Sequence, residues 1–300
     1  MTTIAVILAT RGRPRQALGV IEAMRLMQSG QHKVRVILAC DDDDPADTEG
    51  FFSAYGDTDI TIAVAPRPAG ASACWNRCVP LATDADLLMT MTDDALIHTP
   101  DWDAIIVQGF DQFPWAAPEI AMAALQDSAN PGQGTLFVFR PGWYARCGLF
   151  DERFPFWFSD TAISETYSFI TGQMLPLVPV QAALKPGVYN PRLREMKLWW
   201  TLYACTRLER LETARTARLA FGLEEPPNLN EIVSAWQKRD VNGLPDSEVI
   251  VRDYIPHPKP PDEAYNRARA AALDYIRRYP RAAAHLSGDM DAIDIALSGV

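Results

Sequence analysis

Four short apolar runs, separated by helical or polar stretches, limit what this chain can fold into more than any other feature. Residues 3–9 (TIAVILA), 33–40 (KVRVILAC), 60–65 (ITIAVA) and 85–92 (ADLLMTMT) have the length and side-chain content of strands. Between the first two, Pro14 opens a stretch over 15–28. There Leu18, Ile21, Ala23, Met24 and Met27 follow helical spacing, and Gly30 closes it. Residues 70–82 read as a second helix. Strands alternating with helices at this spacing build βαβ units, and so an α/β fold around a mainly parallel sheet flanked by helices. Ligands of such sheets bind beyond the carboxyl ends of the strands. Three polar clusters fall at those ends: Thr10–Arg13, Asp41–Asp44 and Asp93-Asp94.

Further along, 101–113 reads as a helix capped by Asp101 or Thr99. Residues 135–140 and 175–180 read as strands, the latter the last of the set, and 160–173 as a helix. After about residue 190 the texture changes. Residues 191–220 form a long helical stretch with seven basic and three acidic residues. Residues 228–239 and 262–279 are further helices, and the Pro-rich YIPHPKPP lies between them. The chain therefore divides into a ligand-binding and catalytic unit, 1–189, and a helical C-terminal extension, 190–300, for acceptor binding or oligomerisation. The Arg-rich helix is suited to an anionic acceptor, a membrane surface or a partner subunit, and equally to packing with a charged outer face.

The net charge is −10, and all of it lies in residues 1–189, which carry 12 Lys/Arg against 22 Asp/Glu; residues 190–300 carry 16 of each. That distribution disfavours broad electrostatic binding to nucleic acid. It suits a site where a divalent cation meets phosphates. Five scattered cysteines, Cys40, Cys74, Cys78, Cys147 and Cys205, argue for buried thiols rather than a disulfide framework. No run of about 18 apolar residues is present, so no membrane-spanning helix is expected. The opening MTTIAVILATRGRP reads as a first strand rather than a signal peptide, and a cytoplasmic location follows by default.

The order of motifs resembles the GT-A, family-2-like glycosyltransferases of the nucleotide-diphospho-sugar transferase superfamily. The residues that carry the likeness are Thr10-Arg11-Gly12-Arg13-Pro14 after the first strand, Asp41 to Asp43 after the second, and Gly70, Ser72 and Asn76. The fourth strand then ends in Asp93-Asp94, with Thr99-Pro100-Asp101-Trp102-Asp103 beyond it. Last come Gly148-Leu-Phe-Asp151-Glu152-Arg153-Phe154 and Asp160. The likeness covers about residues 3–180. One departure stands out: a full Asp-x-Asp motif places a carboxylate at position 92, where this chain has Thr92.

The resemblance implies a metal-dependent transfer of a sugar from a nucleotide-diphosphate sugar, UDP-linked, to a hydroxyl, with inversion. Asp94 falls on the metal-ligand position for Mn²⁺ or Mg²⁺, and His257 is a candidate to complete the coordination. Thr10, Arg11, Arg13, Asp41, Asp43, Asn76 and Asp93 are nucleotide-binding candidates; Arg11 and Arg13 offer guanidinium donors suited to phosphate. Asp160 is the general-base candidate, with Glu165 as its alternative. Asp151 and Trp157 are candidates for the acceptor, Trp157 as part of an aromatic wall over 154–158. The acceptors left open are a glycan, a lipid-linked sugar, another hydroxyl compound or a modified DNA base. Homo-oligomerisation is expected, if anywhere, through the C-terminal helices. Two other readings keep the fold: a sugar nucleotidyltransferase, disfavoured by the single glycine in Thr10–Arg15, and a non-catalytic binding or assembly protein, which Thr92 favours slightly.

Overall fold

A computed structural model describes residues 1–68, 70–128, 134–155, 158–184, 193–224 and 263–279. The first unit is β1 (Thr3–Ala9), α1 (Pro14–Leu26) and β2 (Lys33–Asp41), followed by α2 (Thr48–Tyr55), β3 (Ile60–Ala65) and α3 (Ala71–Cys78). Next come β4 (Leu87–Thr92), β5 (Ala95–Ile97), α4 (Trp102–Gln112), β6 (Met122–Asp127), β7 (Gly134–Phe139) and α5 (Pro141–Cys147). The last elements are α6 (Ser159–Thr171), β8 (Leu177–Leu184), α7 (Leu193–Ala220) and α8 (Glu263–Ile276).

The eight strands form one sheet in the order β3-β2-β1-β4-β7-β6-β8-β5. The first four strands are mutually parallel, as expected from their βαβ spacing. The second half is mixed: β7 runs antiparallel to β4 and β6, β8 is parallel to β6, and β5 is antiparallel to β8. Ala9 lies opposite both Ala39 and Thr92. This register brings the carboxyl ends of β1, β2 and β4 to one rim, so Thr10, Asp41 and Asp93 are neighbours in space.

Alternation along each strand feeds two apolar layers. Ile4, Val6 and Leu8 face Ile21 and Met24 of α1 and Trp102 and Ile106 of α4. Ala5, Ile7 and Leu88 face Trp75, Trp143, Tyr167 and, from α7, Leu211 and Ala214. Each fully buried large side chain contributes about 1.5–3 kcal/mol. A third layer of Phe154, Leu198, Trp199, Tyr203, Tyr265 and Ile276 joins α6, α7 and α8. These buried residues of α7 and α8 pack within the chain, and nothing among the described residues supports oligomerisation through these helices. No helix among the described residues is long and apolar enough to cross a membrane.

Several boundaries differ from expectation. The helix expected over 70–82 ends at Cys78 and continues as a 3₁₀ turn over Val79–Ala82, where Pro80 removes an N–H from the ladder. Helix α2 was not expected because its flanks read as an acidic loop. Its signals are Asp47, whose carboxylate accepts from the Gly50 N–H at 3.1 Å, and Gly56 at φ 71° closing it. Short α5, β5 and β6 also escaped the periodicity, β5 having only three residues. Neither proposed cap of α4 acts as one: Asp101 makes no side-chain capping bond, and the Thr99 hydroxyl accepts from the Gln181 N–H at 2.8 Å. Asp103 ties this helix down instead, accepting from the N–H and hydroxyl of Ser29, both at 2.7 Å. The helix expected over 228–239 and the YIPHPKPP connector lie outside the described residues. All five cysteines are free, with Cys40 and Cys78 buried.

Candidate active site

The rim of the sheet is built by three loops that close on one another. After β1 the chain turns at Gly12, where φ is +68° and a side chain would be strained. The Gly12 N–H donates to both oxygens of Asp44, at 3.1 and 3.0 Å. This ties the loop after β1 to the loop after β2. Beside it, Arg11 donates to Asp41 at 3.1 Å and Asp43 at 2.5 Å. The bond from Arg11, with its charge, holds the Asp43 carboxyl below its ordinary pKa against the small cost of burial.

Asp41 is buried, with its carboxylate set between two guanidinium groups. Arg11 reaches one oxygen; Arg77, from α3, reaches the other at 3.1 Å. Arg77 also donates to the Cys40 carbonyl at 2.6 Å and the Pro66 carbonyl at 3.0 Å. It therefore joins α3 to the ends of β2 and β3. Sequence reasoning missed Arg77, although its place one residue after Asn76 in a helix facing the rim was available. Burial pushes the nearby Cys40 and Cys74 thiols up to about 12, so they act as packing groups rather than nucleophiles.

At the end of β4 the two adjacent aspartates differ. Asp93 is 1% exposed, accepts from the Thr10 hydroxyl at 2.7 Å and pairs with Arg13 at 2.6 Å. Burial pushes its pKa up, while Thr10 and Arg13 oppose the shift. Asp94 is half-buried, and among the described residues its carboxylate makes no hydrogen bond or ion pair. Both aspartates border a pocket of about 250 Å³ that Gln16, Gly19, Val20 and Leu96 complete. The hydroxyl of Thr92, the last residue of β4, is buried without a partner among the described residues.

The remaining candidates lie on the 148–160 segment and α6. The Asn76 carboxamide donates to the Phe150 carbonyl at 2.8 Å and to Glu152 at 2.9 Å, and accepts from the Phe150 N–H at 3.0 Å. Ser72 donates to the Phe154 carbonyl at 3.2 Å. Asp151 is taken up by Arg153, which approaches both its oxygens at 2.7–3.1 Å and also pairs with Glu209 of α7. Asp160 is exposed on the first turn of α6, where among the described residues its carboxylate accepts only from the N–H and hydroxyl of Thr161. Glu165 is enclosed by Arg207 at 2.5 Å, Arg210 at 3.1 Å and the Tyr203 hydroxyl at 2.8 Å. Two arginines of the basic helix thus point inward rather than to an external anion.

Two groups of candidates therefore come together: Thr10, Arg13 and Asp93 in direct contact beside Asp94, and Arg11, Asp41 and Asp43 with Arg77. Asn76 holds the 150–155 loop, Asp151 lies within that loop paired with Arg153, and Asp160 contacts none of these residues. Trp157 and His257 lie outside the described residues. Among those described, no group of three or more His, Cys, Asp and Glu side chains is arranged to hold a metal. The donor at hand for a hard cation is the Asp94 carboxylate, which borders the pocket. It fits an ion that takes its other oxygens from a diphosphate and water.

A parallel half-sheet with a polar rim at its carboxyl edge, extended by a mixed half and an Asp pair after β4, is the GT-A form of the α/β nucleotide-binding fold. Solved structures with this fold include the mannosyltransferase PcManGT from Pyrobaculum calidifontis in complex with GDP-Man and Mn²⁺. It is 14% identical, with 97% of this chain and 80% of that chain covered and a TM-score of 0.50. Another is S. aureus TarS 1-349 in complex with UDP-GlcNAc, at 10% identity, covering 81% and 82%, with a TM-score of 0.50. A third is glucosyl-3-phosphoglycerate synthase from Mycobacterium tuberculosis in complex with Mn²⁺, UDP and phosphoglyceric acid, at 15% identity, covering 70% and 78%, with a TM-score of 0.50. No family model matches the chain, and no curated protein matches it.

Proposed function

We propose that this protein is a metal-dependent glycosyltransferase that moves a sugar from a nucleotide-diphosphate donor, UDP-linked, to a hydroxyl acceptor with inversion. The observation that carries this reading is the Asp94 carboxylate, unpartnered among the described residues, just past the end of the central strand β4 and beside a rim of arginines and aspartates. The fold shared with nucleotide-sugar glycosyltransferases supports it.

In this reading the Arg11–Asp41–Arg77 group meets the nucleoside. Asp41 is held still by two cations, so it offers a fixed acceptor with little entropy left to lose on binding. Asp94 holds Mn²⁺ or Mg²⁺, which when bound neutralises charge on the departing diphosphate. Arg13, half exposed and already oriented by Asp93, directs its free donors toward the same phosphates. Thr10 and Asp93 fix the loop that carries it, and Asn76 fixes the 150–155 loop. Asp160 takes the proton from the acceptor hydroxyl as its oxygen attacks the anomeric carbon and the bond to the diphosphate breaks. Glu165 is unsuited to that task because three donors already occupy it. The acceptor is a carbohydrate hydroxyl or another alcohol; residues 1–189 form the catalytic unit, and residues 190–300 add to acceptor binding.

Titration of the protein with UDP, GDP, CDP and ADP, with and without Mn²⁺, tests the reading. Metal-dependent binding of one nucleotide, lost in Asp94→Ala with the fold intact, is the expected result. Binding that ignores both the metal and Asp94 would overturn the metal assignment. The single free carboxylate also favours a second reading, a nucleotide-binding protein without turnover; it is recognised by tight binding with no donor cleavage.

A further inference from the structure

Three described residues other than glycine have a left-handed backbone: Asp47, Asp101 and Phe158. Aspartate takes that conformation readily because its short polar side chain bonds locally, whereas a bulky ring there is an outlier. Strain of this kind persists where the surroundings over-determine it, and it gathers at functional sites. Phe158, at φ 65° and ψ 1°, leads into α6 and makes no side-chain capping bond. Its ring offsets the strain. The ring stacks on Tyr203 of α7, with centroids 5.8 Å apart and planes at 29°, and meets Trp200 in a T-shape at 5.3 Å. Two such pairs return about as much as a left-handed residue costs. Tyr203 is itself held: its hydroxyl donates to Glu165 at 2.8 Å, and Arg210 lies over its face, 4.5 Å from the ring centre. The same turn starts the helix, since the Ala162 N–H donates to the Phe158 carbonyl at 2.8 Å. Asp160 follows two residues later, on the first turn.

We propose that Phe158 is a positioning residue for the transfer reaction: clamped by Tyr203 and Trp200, its left-handed turn sets how the chain enters α6 and so where the Asp160 carboxylate stands. The proposal rests on Asp160 as the base. Among the described residues that carboxylate bonds only to its neighbour Thr161, so its place in the site is set by the backbone that carries it. A base displaced by about 1 Å loses on the order of 100-fold in rate. Glu165, with Arg207 and Arg210, pins α6 to α7 more than a turn further on. At the start of the helix the Phe158 ring is the matching tie. Glycine, asparagine or aspartate would make the turn at less cost, so a phenylalanine here is explained by its ring and not by its backbone.

Substitution separates backbone from ring. Phe158→Ala keeps the costly turn and loses the ring, Phe158→Gly frees the turn and loses the ring, and Phe158→Tyr keeps the ring. Two readouts are taken on the full chain: hydrogen exchange of the Ala162 amide, and Mn²⁺-dependent cleavage of UDP-glucose, UDP-N-acetylglucosamine and GDP-mannose with water as the acceptor. Phe158→Ala and Phe158→Gly are expected to lose protection at Ala162 by about tenfold or more. Their kcat should fall by about tenfold or more. Donor KM and nucleotide Kd should stay within about twofold. Phe158→Tyr should restore both readouts. Trp200→Leu weakens the clamp and leaves the sequence of α6 unaltered; it serves if the Phe158 variants melt, and should move both readouts the same way. Ala162 protection and kcat unchanged in Phe158→Ala and Trp200→Leu, or a kcat that falls only in step with nucleotide affinity, overturn the proposal alone. Full turnover in Asp160→Asn, or a wild-type chain that cleaves none of the donors, removes the base reading and the proposal with it.

Discussion

Arg13 meets the buried carboxylate of Asp93 at 2.6 Å, and the next residue, Asp94, makes no hydrogen bond or ion pair with any described residue. Two chemically identical neighbours are thereby given different work. Asp93 bolts the loop after β1 to the end of β4, and Asp94 is left for a ligand. Asp93→Ala is expected to leave the Thr10 hydroxyl, 94% buried, without its acceptor and to lower stability by about 1–3 kcal/mol. Asp94→Ala should leave stability unchanged within about 0.5 kcal/mol and abolish metal-dependent nucleotide binding. Urea midpoints alongside calorimetric titration separate the two effects.

Asp160 and Glu165 are separated in the same way. Asp160→Asn should keep stability and nucleotide affinity and lose turnover by about 100-fold or more. Glu165→Ala should instead unfold readily, costing about 3–5 kcal/mol, because it strands the Arg210 guanidinium, which is 7% exposed. A stable Glu165→Gln protein that binds nucleotide but has lost turnover, beside an active Asp160→Asn, would transfer the base role to Glu165.

Gly70 sits where no side chain fits, since a Cβ there would collide with the Pro155 carbonyl. Gly70→Ala is expected to lower stability by about 1–3 kcal/mol and to loosen the contact of α3 with the 150–155 loop. Asn76→Ala removes three bonds from the same contact and should cost a similar amount. Asn76→Asp should be worse than alanine, because it sets a carboxylate against Glu152 and the Phe150 carbonyl. Thermal melts of the three variants rank them.

The docking of α8 carries a pH signature. Tyr275 donates to Glu209 at 2.5 Å; that bond, with the charge of Arg153, holds the Glu209 carboxyl below its ordinary 4.5. A lowered carboxylate pKa gives stability that is present above the unfolded value and lost as pH falls through the folded one. Tyr275→Phe should raise the Glu209 midpoint toward 4.5 and reduce the loss of stability on acidification below that value. Carboxylate chemical shifts followed against pH measure the first effect, and melting temperatures at matched pH the second.

The parallel half of the sheet was legible because β1, β2 and β4 are apolar runs largely buried on both faces, each ended by a polar turn. The mixed half was not. β5 has only three residues, and the strand expected last, over 175–180, begins at Leu177 and runs on to Leu184. Strand β6 lies in a stretch punctuated by Pro and Gly, where no period is long enough to count. Helix α2 was hidden behind an acidic run whose members serve as caps and loop ties.

The sequence by itself determined which residue types stand at the carboxyl ends of β1, β2 and β4, because strand length and polar punctuation are local properties. It could not assign their partners. That Arg77 joins Arg11 in fixing Asp41, that Asp93 is consumed by Thr10 and Arg13, and that Asp151 and Glu165 are occupied by arginines were decided by tertiary structure alone. A carboxylate is free or spent according to which donors the packed sheet and helices bring within about 3 Å, and those donors come from positions far away in the chain.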